Sequence, residues 1–282
     1  MNRRLVFFWY IDEAYRDCMA YRFHLMELCR HSHVFDEALF VMSMKVDDPI
    51  HRSMARSFAE ALVAGGFSKS TRFVFETNTI YREAKAFDDH VVSTVRSGDP
   101  ATVFFGHSKG MSNVWNDSLF VWLCSMYYFG LERIWEIDDV LVNNRRVAYG
   151  FPAILSTKKH DDMGFIKPKY GYYYAGTLFW VKPFVLKTLI DEGLAGPIPG
   201  VTDRFYAEEF LANTVDSCYC GTYGMVPYYD DEFTLYSDFN VRIFEKLAWR
   251  FPDTGISGDL LEYVNGAMER LSGFEIKWRD VE

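Results

Sequence analysis

Paired cysteines are missing from this sequence. Cys18, Cys29, Cys124, Cys218 and Cys220 are odd in number and form no CxxC pair, which excludes a disulfide framework and a zinc ribbon. Cys29 and Cys124, within helical apolar patterns, read instead as small buried hydrophobes in a reducing compartment. Long apolar runs are missing too. The most hydrophobic stretch, Leu119 to Leu131, is too short to span a bilayer and is bounded by Asp117 and Glu132. The LVFFWY run behind Arg3 and Arg4 imitates a signal peptide only as far as Asp12 and Glu13, so no transmembrane segment or leader is expected. Basic clusters are absent as well: Asp and Glu outnumber Lys and Arg by 39 to 30, with no cationic stripe, so nucleic acid is excluded as a partner on electrostatic grounds. The same acidity disfavours an anionic membrane surface. A cytoplasmic location is expected, and peripheral attachment to a membrane assembly is compatible with it. No repeat or low-complexity segment occurs.

What is present is the composition of an ordinary globular chain, 49% apolar and 24% charged, with enough apolar mass for a large core. The length suits one α/β unit. Aromatic residues reach 18%, which serves either a core or the stacking faces that sugar-handling proteins use, and composition does not separate the two.

Apolar runs and helical periodicities alternate through the first half. Leu5 to Tyr10 predicts a central strand buried on both faces, and Tyr15 to Arg30 a helix. Phe35 to Met44 is a second strand, and His51 to Val63 a helix stopped by Gly65 and Gly66. Arg72 to Thr77 is a third strand, followed by a helix from Tyr81 to Val95. The fourth strand is TVFFGHSKG, from Thr102, which is expected to break at Gly106 and deliver His107, Ser108, Lys109 and Gly110 to its C-terminal end. This order predicts a mainly parallel sheet flanked by helices, and ligands of such sheets sit at strand C-termini. Two cationic side chains there suit an anionic ligand.

Beyond it, Asn113 to Phe129 and Leu131 to Val142 predict a helical hairpin broken at Gly130, and Val147 to Leu155 a short extended piece. Thr157 to Lys169 reads as a polar loop, and Tyr170 to Val181 as one aromatic strand. A helix follows from Pro183 to Glu192, and another behind Asp203 as its N-cap. Tyrosine-rich extended segments follow from Cys218, then a helix at Val241 to Trp249. The division expected is a main domain over residues 1–236 and a C-terminal helical extension over 237–282, which either covers the site or packs elsewhere.

Three blocks, FFGHSKG at 104–110 followed by Trp115, YYYAGTLFWVKP at 172–183 and DRFYAEEFL at 203–211, resemble glycosyltransferases encoded in surface-polysaccharide gene clusters. Sequences of that family carry H-S/T-K-G, then G-x-x-F/W-W, then R-Y/F-x-A-E. The resemblance covers roughly residues 72–215. It implies a GT-A-like, Rossmann-like sheet that binds a nucleotide sugar, beside a half that binds a glycan or lipid-linked acceptor.

One departure stands out. The family's wider class places Asp-x-Asp after the fourth strand to hold a divalent cation on the diphosphate, and this chain has HSK there. Asp138 and Asp139 fall in a helical pattern, Asp47 and Asp48 in a turn before Pro49, and Asp161 and Asp162 in a polar loop. The expectation is therefore no metal ligand and no cofactor, with manganese or magnesium the less favoured alternative. A leaving nucleoside diphosphate develops negative charge that must be stabilised. Lys109 is assigned to it, with His107, Ser108 and the Gly110 amide as further donors. Glu208 matches the family's A-E position and is the expected general base, or a ligand of the acceptor hydroxyl if configuration is retained, with its neighbour Glu209 in reserve. Gly176 and Thr177 match the strand beside the donor sugar, and Trp180 is expected to wall the pocket. Asp203 and Arg204 are expected to orient sugar hydroxyls or a phosphate. Tyr10, Asn78 and Arg82 lie where base and ribose bind. Two rivals remain: a non-catalytic carbohydrate-binding scaffold of polysaccharide assembly, and another nucleotide-dependent enzyme such as a nucleotidyltransferase.

Overall fold

The computed structural model describes residues 1–67, 70–78, 83–108, 115, 117–142, 146–150, 153–155, 169–170, 172–174, 177–201, 206–221, 225–227 and 256–279. Strand β1 (Arg3–Ile11) is central, and β2 (Glu37–Met44), β3 (Thr71–Thr77) and β4 (Thr102–His107) run parallel to it. Five short strands follow: β5 (Ala148–Gly150), β6 (Ala153–Leu155), β7 (Tyr172–Tyr174), β8 (Phe179–Val181) and β9 (Cys220–Gly221). The last strand is β10 (Met225–Pro227). The main sheet has the order β3-β2-β1-β4-β8-β5-β9, with β8 antiparallel to both neighbours and β9 parallel to β5. A second sheet has the order β10-β6-β7.

Helices cover both faces. On one side lie α1 (Met19–Arg30), α2 (Pro49–Ala64), α5 (Asp117–Tyr127), α6 (Ile134–Val142) and a C-terminal helix, α9 (Ile256–Ser272). On the other lie α3 (Glu83–Phe87), which runs through a π-turn at Asp88–Val92 into α4 (Ser93–Ser97), then α7 (Pro183–Asp191) and α8 (Tyr206–Thr214). The architecture is the expected α/β one, a Rossmann-like, mainly parallel sheet flanked by helices. Because both faces are covered, β1 is apolar on both: Leu5, Phe7, Trp9 and Ile11 enter the first layer and Val6 the second. At the N-terminal edge, Arg4 ties three segments together by pairing with Glu37 at 2.8 Å and Asp99 at 2.7 Å.

Several expectations change. Gly106 does not break β4. It lies inside the strand opposite Phe7, and the Phe7 ring fills the space a side chain would need, 3.0 Å from an added Cβ. The first helix starts at Met19, after a short 3-10 turn at Glu13–Tyr15 capped by Asp12. The predicted hairpin at Gly130 is instead a π-turn (Tyr128–Glu132) between α5 and α6, which do not pack side by side. The aromatic stretch from Tyr170 divides into β7 and β8, which belong to different sheets, with Thr177 at φ +50° between them. Asp48 caps α2 through His51 N at 2.9 Å and Asp47 pairs with Arg52, so both have structural employment. Asp138 pairs with Arg3. Lys158 to Asp162, the Asp203 cap and the helix expected at Val241 to Trp249 lie outside the described residues.

The described C-terminal residues pack on the α1, α2 and α5 side. Trp278 meets Phe58 edge-on at 5.2 Å, the Arg279 amide donates to Ser57 Oγ at 2.9 Å, and the Arg279 guanidinium pairs with Glu60. Beneath α9 is the fully buried Glu27, which takes the Tyr263 hydroxyl and the Arg270 guanidinium, the latter at 3.1 Å. Next to it, Arg30 grips Glu132 with two nitrogens at 2.6 and 2.9 Å, and His31 Nε2 reaches Glu132 at 2.9 Å. A buried carboxylate with this many donors is tolerated only as part of the whole set.

His31 and Arg30 lower the Glu132 carboxyl from 4.5 to about 2, against the opposing effect of its partial burial. A carboxyl depressed in the folded state stabilises the fold above its unfolded value, and that stability is lost as pH falls from 4.5 toward 2. Glu132→Gln is therefore expected to cost about 1 kcal/mol at neutral pH and to flatten the acid limb of stability. Chemical denaturation of both proteins across that pH range measures it; parallel acid limbs would show that Glu132 does not carry this linkage.

Candidate functional site

Strand connections leave β1 in opposite directions, toward β2 on one side and β4 on the other, so the sheet's switch point lies between β1 and β4. Crevices at such points, outside strand C-termini, are where open α/β sheets bind ligands. Here the crevice is formed by a stagger. β1 pairs with β4 only as far as Phe8 opposite His107, but pairs with β2 as far as Ile11 opposite Met44. Ser108 closes the difference. Its amide donates to the Phe8 carbonyl at 3.0 Å and its Oγ accepts from the Tyr10 amide at 3.0 Å. Ser108 thus extends the ladder by one step beyond His107.

Alternation along the strands puts Tyr10 and His107 on the α3 side. His107 is 8% exposed, with Nδ1 at 3.6 Å from the Glu83 carboxylate, the first residue of α3. Asn78, just past β3, donates its amide to the Met44 carbonyl at 2.7 Å, and its side-chain oxygen accepts from Ser43 Oγ at 3.3 Å. On the other side of β4, the antiparallel register Phe105–Phe179 continues through Gly106–Leu178, which brings Thr177 to the level of His107. Thr177 is fully buried, holds φ +50°, and its Oγ1 has no hydrogen-bond partner among the described residues. A β-branched residue in the left-handed region is strained, and such strain collects at ligand sites.

Sequence reading passed over Asp12, Lys45 and Glu83. Asp12, one residue beyond β1, is buried; its Oδ2 takes Lys45 Nζ at 3.0 Å and the Tyr10 hydroxyl at 3.3 Å, and its Oδ1 takes the Ala14 amide at 3.1 Å. Tyr21 braces the same turn, accepting from the Asp12 amide at 3.2 Å and donating to the Tyr10 carbonyl at 2.5 Å. Burial pushes the Asp12 carboxyl up, but Lys45 and the Ala14 amide outweigh it and hold it below the usual carboxylate range. Burial and Asp12 push the Tyr10 hydroxyl up. The signal that could have found Asp12 is a carboxylate directly behind the central strand.

Tyr10, Asn78, His107, Ser108 and Thr177 are thus gathered at one sheet edge. Lys109, Gly110, Arg82, Gly176, Asp203 and Arg204 lie outside the described residues. Glu208 and Glu209 open the first turn of α8, with Glu209 the more buried of the two, and this helix packs through Phe210 against Phe87 at 5.2 Å. Trp180 is corrected: it is fully buried, stacks on Phe35 at 5.8 Å and gives its indole N–H to the Gly130 carbonyl at 2.7 Å. It is a core residue with no face to offer a sugar. Trp115 packs likewise against Phe120 at 5.7 Å. Among the described residues no three His, Cys, Asp or Glu side chains are grouped to hold a metal, and no helix is long and apolar enough to cross a membrane.

Comparison with known proteins yields no matching family model and no matching curated protein. Among solved structures, a 4-diphosphocytidyl-2C-methyl-D-erythritol synthase superposes with a TM-score of 0.38 at 12% identity, over 88% of this chain and 99% of that one. The fold assignment rests on the strand order and directions themselves.

Replacing an unpaired buried hydroxyl with a methyl of the same shape removes a desolvation cost. Thr177→Val is accordingly expected to keep or raise the melting temperature, and a fall equivalent to more than about 1 kcal/mol would show that Oγ1 has an internal partner.

Proposed function

We propose that the protein is a glycosyltransferase that moves a sugar from a nucleotide-sugar donor to a hydroxyl of a glycan or lipid-linked acceptor. The observation that supports it is the convergence of Tyr10, His107, Ser108 and the strained Thr177 on the switch-point crevice of a mainly parallel sheet, with Asn78 farther along the same strand-end edge, behind β3. The HSKG, AGTLFW and RFYAEEFL blocks add the reaction class by resemblance.

In this reading the donor diphosphate lies across the end of β4. His107, kept in place by Glu83, donates to a phosphate oxygen, and Lys109 and the Gly110 amide supply the remaining positive charge. Tyr10 and Asn78, with Arg82, contact base and ribose, and Gly176 contacts the sugar while the buried Thr177 holds the backbone beside it. Glu208, or Glu209 in its place, takes the proton of the acceptor hydroxyl. The hydroxyl oxygen then bonds to the anomeric carbon as the bond to the diphosphate breaks, and the electron pair leaves on the phosphate oxygen. Asp203 and Arg204 orient sugar hydroxyls. With HSK in place of Asp-x-Asp, the proposed reaction is metal-independent.

Nucleoside diphosphates and sugar nucleotides, each tested with manganese and with EDTA, are expected to raise the melting temperature for one nucleotide, because a ligand that binds only the folded state stabilises it. No stabilisation by any nucleotide would favour a non-catalytic scaffold, preference for a nucleoside triphosphate would favour nucleotidyl transfer, and a strict manganese requirement would defeat metal independence. Lys109→Ala is expected to lose donor binding or turnover by at least about a hundredfold. Glu208→Gln is expected to lose turnover by about 10²–10⁴-fold with donor binding kept. Wild-type transfer rates in both variants would refute the site assignment.

A further inference from the structure

Strand β3 ends the main sheet, and its outer edge pairs with nothing among the described residues. An unpaired edge is a template for another strand, and proteins ordinarily blunt it with Pro, Lys, a bulge or a cover. The β3 sequence, TRFVFET, carries no Pro, no Lys and no Gly. It has a further property. Read against itself in antiparallel register about Val74, it is self-complementary: Thr71 faces Thr77, Arg72 faces Glu76, Phe73 faces Phe75, and Val74 faces Val74.

The side chains support that register. Arg72 and Glu76 share the α3 face of the strand and are too far apart along it to pair with each other; neither makes a hydrogen bond or ion pair among the described residues. The charges facing them from α3 and its π-turn are Lys85 and Asp89, which are paired with one another, and His90. On the α2 face, Phe73 stacks on Phe40 at 5.5 Å, whereas Phe75 stands 47% exposed beside a cleft of about 410 Å³ bordered by Met44, Arg52 and Arg56. The edge thus presents an exposed aromatic ring and two side chains of opposite charge, Arg72 and Glu76.

We infer that this edge binds a second copy of the chain, β3 pairing antiparallel with β3 of the partner across a two-fold axis at Val74. Two Arg72–Glu76 pairs and two Phe73–Phe75 pairs form at once, because a two-fold interface makes every contact twice. Phe75 gains an aromatic neighbour and the open side of the cleft is closed by the partner's strand. The inference is independent of the reaction the protein catalyses.

Sedimentation and light scattering of the full chain test it. The wild type is expected to be a dimer. Arg72→Glu places Glu opposite Glu, and Glu76→Arg places Arg opposite Arg, so each variant alone is expected to dissociate at least about tenfold more readily. An equimolar mixture of the two is expected to recover the dimer, since the acidic strand of the first variant then faces the basic strand of the second and both pairs are again of opposite charge. The double variant R72E/E76R is expected to recover it by itself. Simple damage to the fold would not be repaired by mixing, and circular dichroism with thermal melting identifies it. A wild type that stays monomeric at the highest soluble concentration, as it would if another segment of the same chain covered β3, overturns the inference. So does a dimer indifferent to both single variants.

Discussion

The stagger between β1 and β4 is the constraint on which the candidate site depends. β1 continues to Ile11 along β2, while β4 leaves it at His107, so the last residues of β1 lack a strand on one side. Their amides still need partners, since an unmade backbone hydrogen bond at a buried edge costs more than a made one returns. Ser108 supplies what is needed with its own amide and hydroxyl. A residue with no side-chain acceptor could satisfy Phe8 but not Tyr10. The serine therefore has a structural reason to follow the histidine, apart from any contact with a ligand, and His107 is held at the crevice because its backbone is still in the sheet.

The two faces of that sheet divide the work. The α1, α2, α5 side holds the larger aromatic cluster, the buried Glu27 with its donors, and the C-terminal residues that clasp α2. The α3 side holds His107 and Tyr10. Most of the described aromatic residues are core, which settles for them the question that composition leaves open: Trp9, Trp180, Tyr127 and Phe58 are fully buried, and exposure of a large ring is confined to a few places such as Phe75, Trp135 and Phe184. Rigid packing of this kind behind a strand edge keeps the crevice residues in position without needing the crevice itself to be tightly packed.

Strands β1 to β4 were legible from the sequence to within about two residues because a parallel strand buried on both faces must be a continuous apolar run, and such runs are conspicuous. The same rule failed at Tyr170 to Val181. That stretch is mostly aromatic and apolar, so nothing in its periodicity shows that β7 and β8 serve different sheets, and Thr177, which holds φ +50° before β8, is a residue type that does not advertise a left-handed turn. Gly106 misled in the opposite direction. Glycine in a strand reads as a break, but here its bare Cα admits the Phe7 ring. Tyr10, Asn78, His107 and Ser108 were legible as strand-end residues because the alternation of strands and helices fixes which loops share an edge, whereas Thr177 was read as lying inside a strand. Asp12 was not, since a carboxylate after a strand looks the same whether it closes a turn or, as here, also gathers Lys45 and Tyr10.

The order β3-β2-β1-β4 also fixes how the outer edge relates to the crevice. β3 stands two strand spacings, about 10 Å, from β1 and on the opposite side of it from β4, so a strand added at β3 does not obstruct the end of β4. Antiparallel addition reverses strand direction. The C-terminal edge of the partner's sheet, and with it the partner's crevice, then faces the other way from the first. Two copies joined at β3 would therefore carry their crevices on opposite edges of one continuous sheet, so that association at β3 leaves the end of each β4 open.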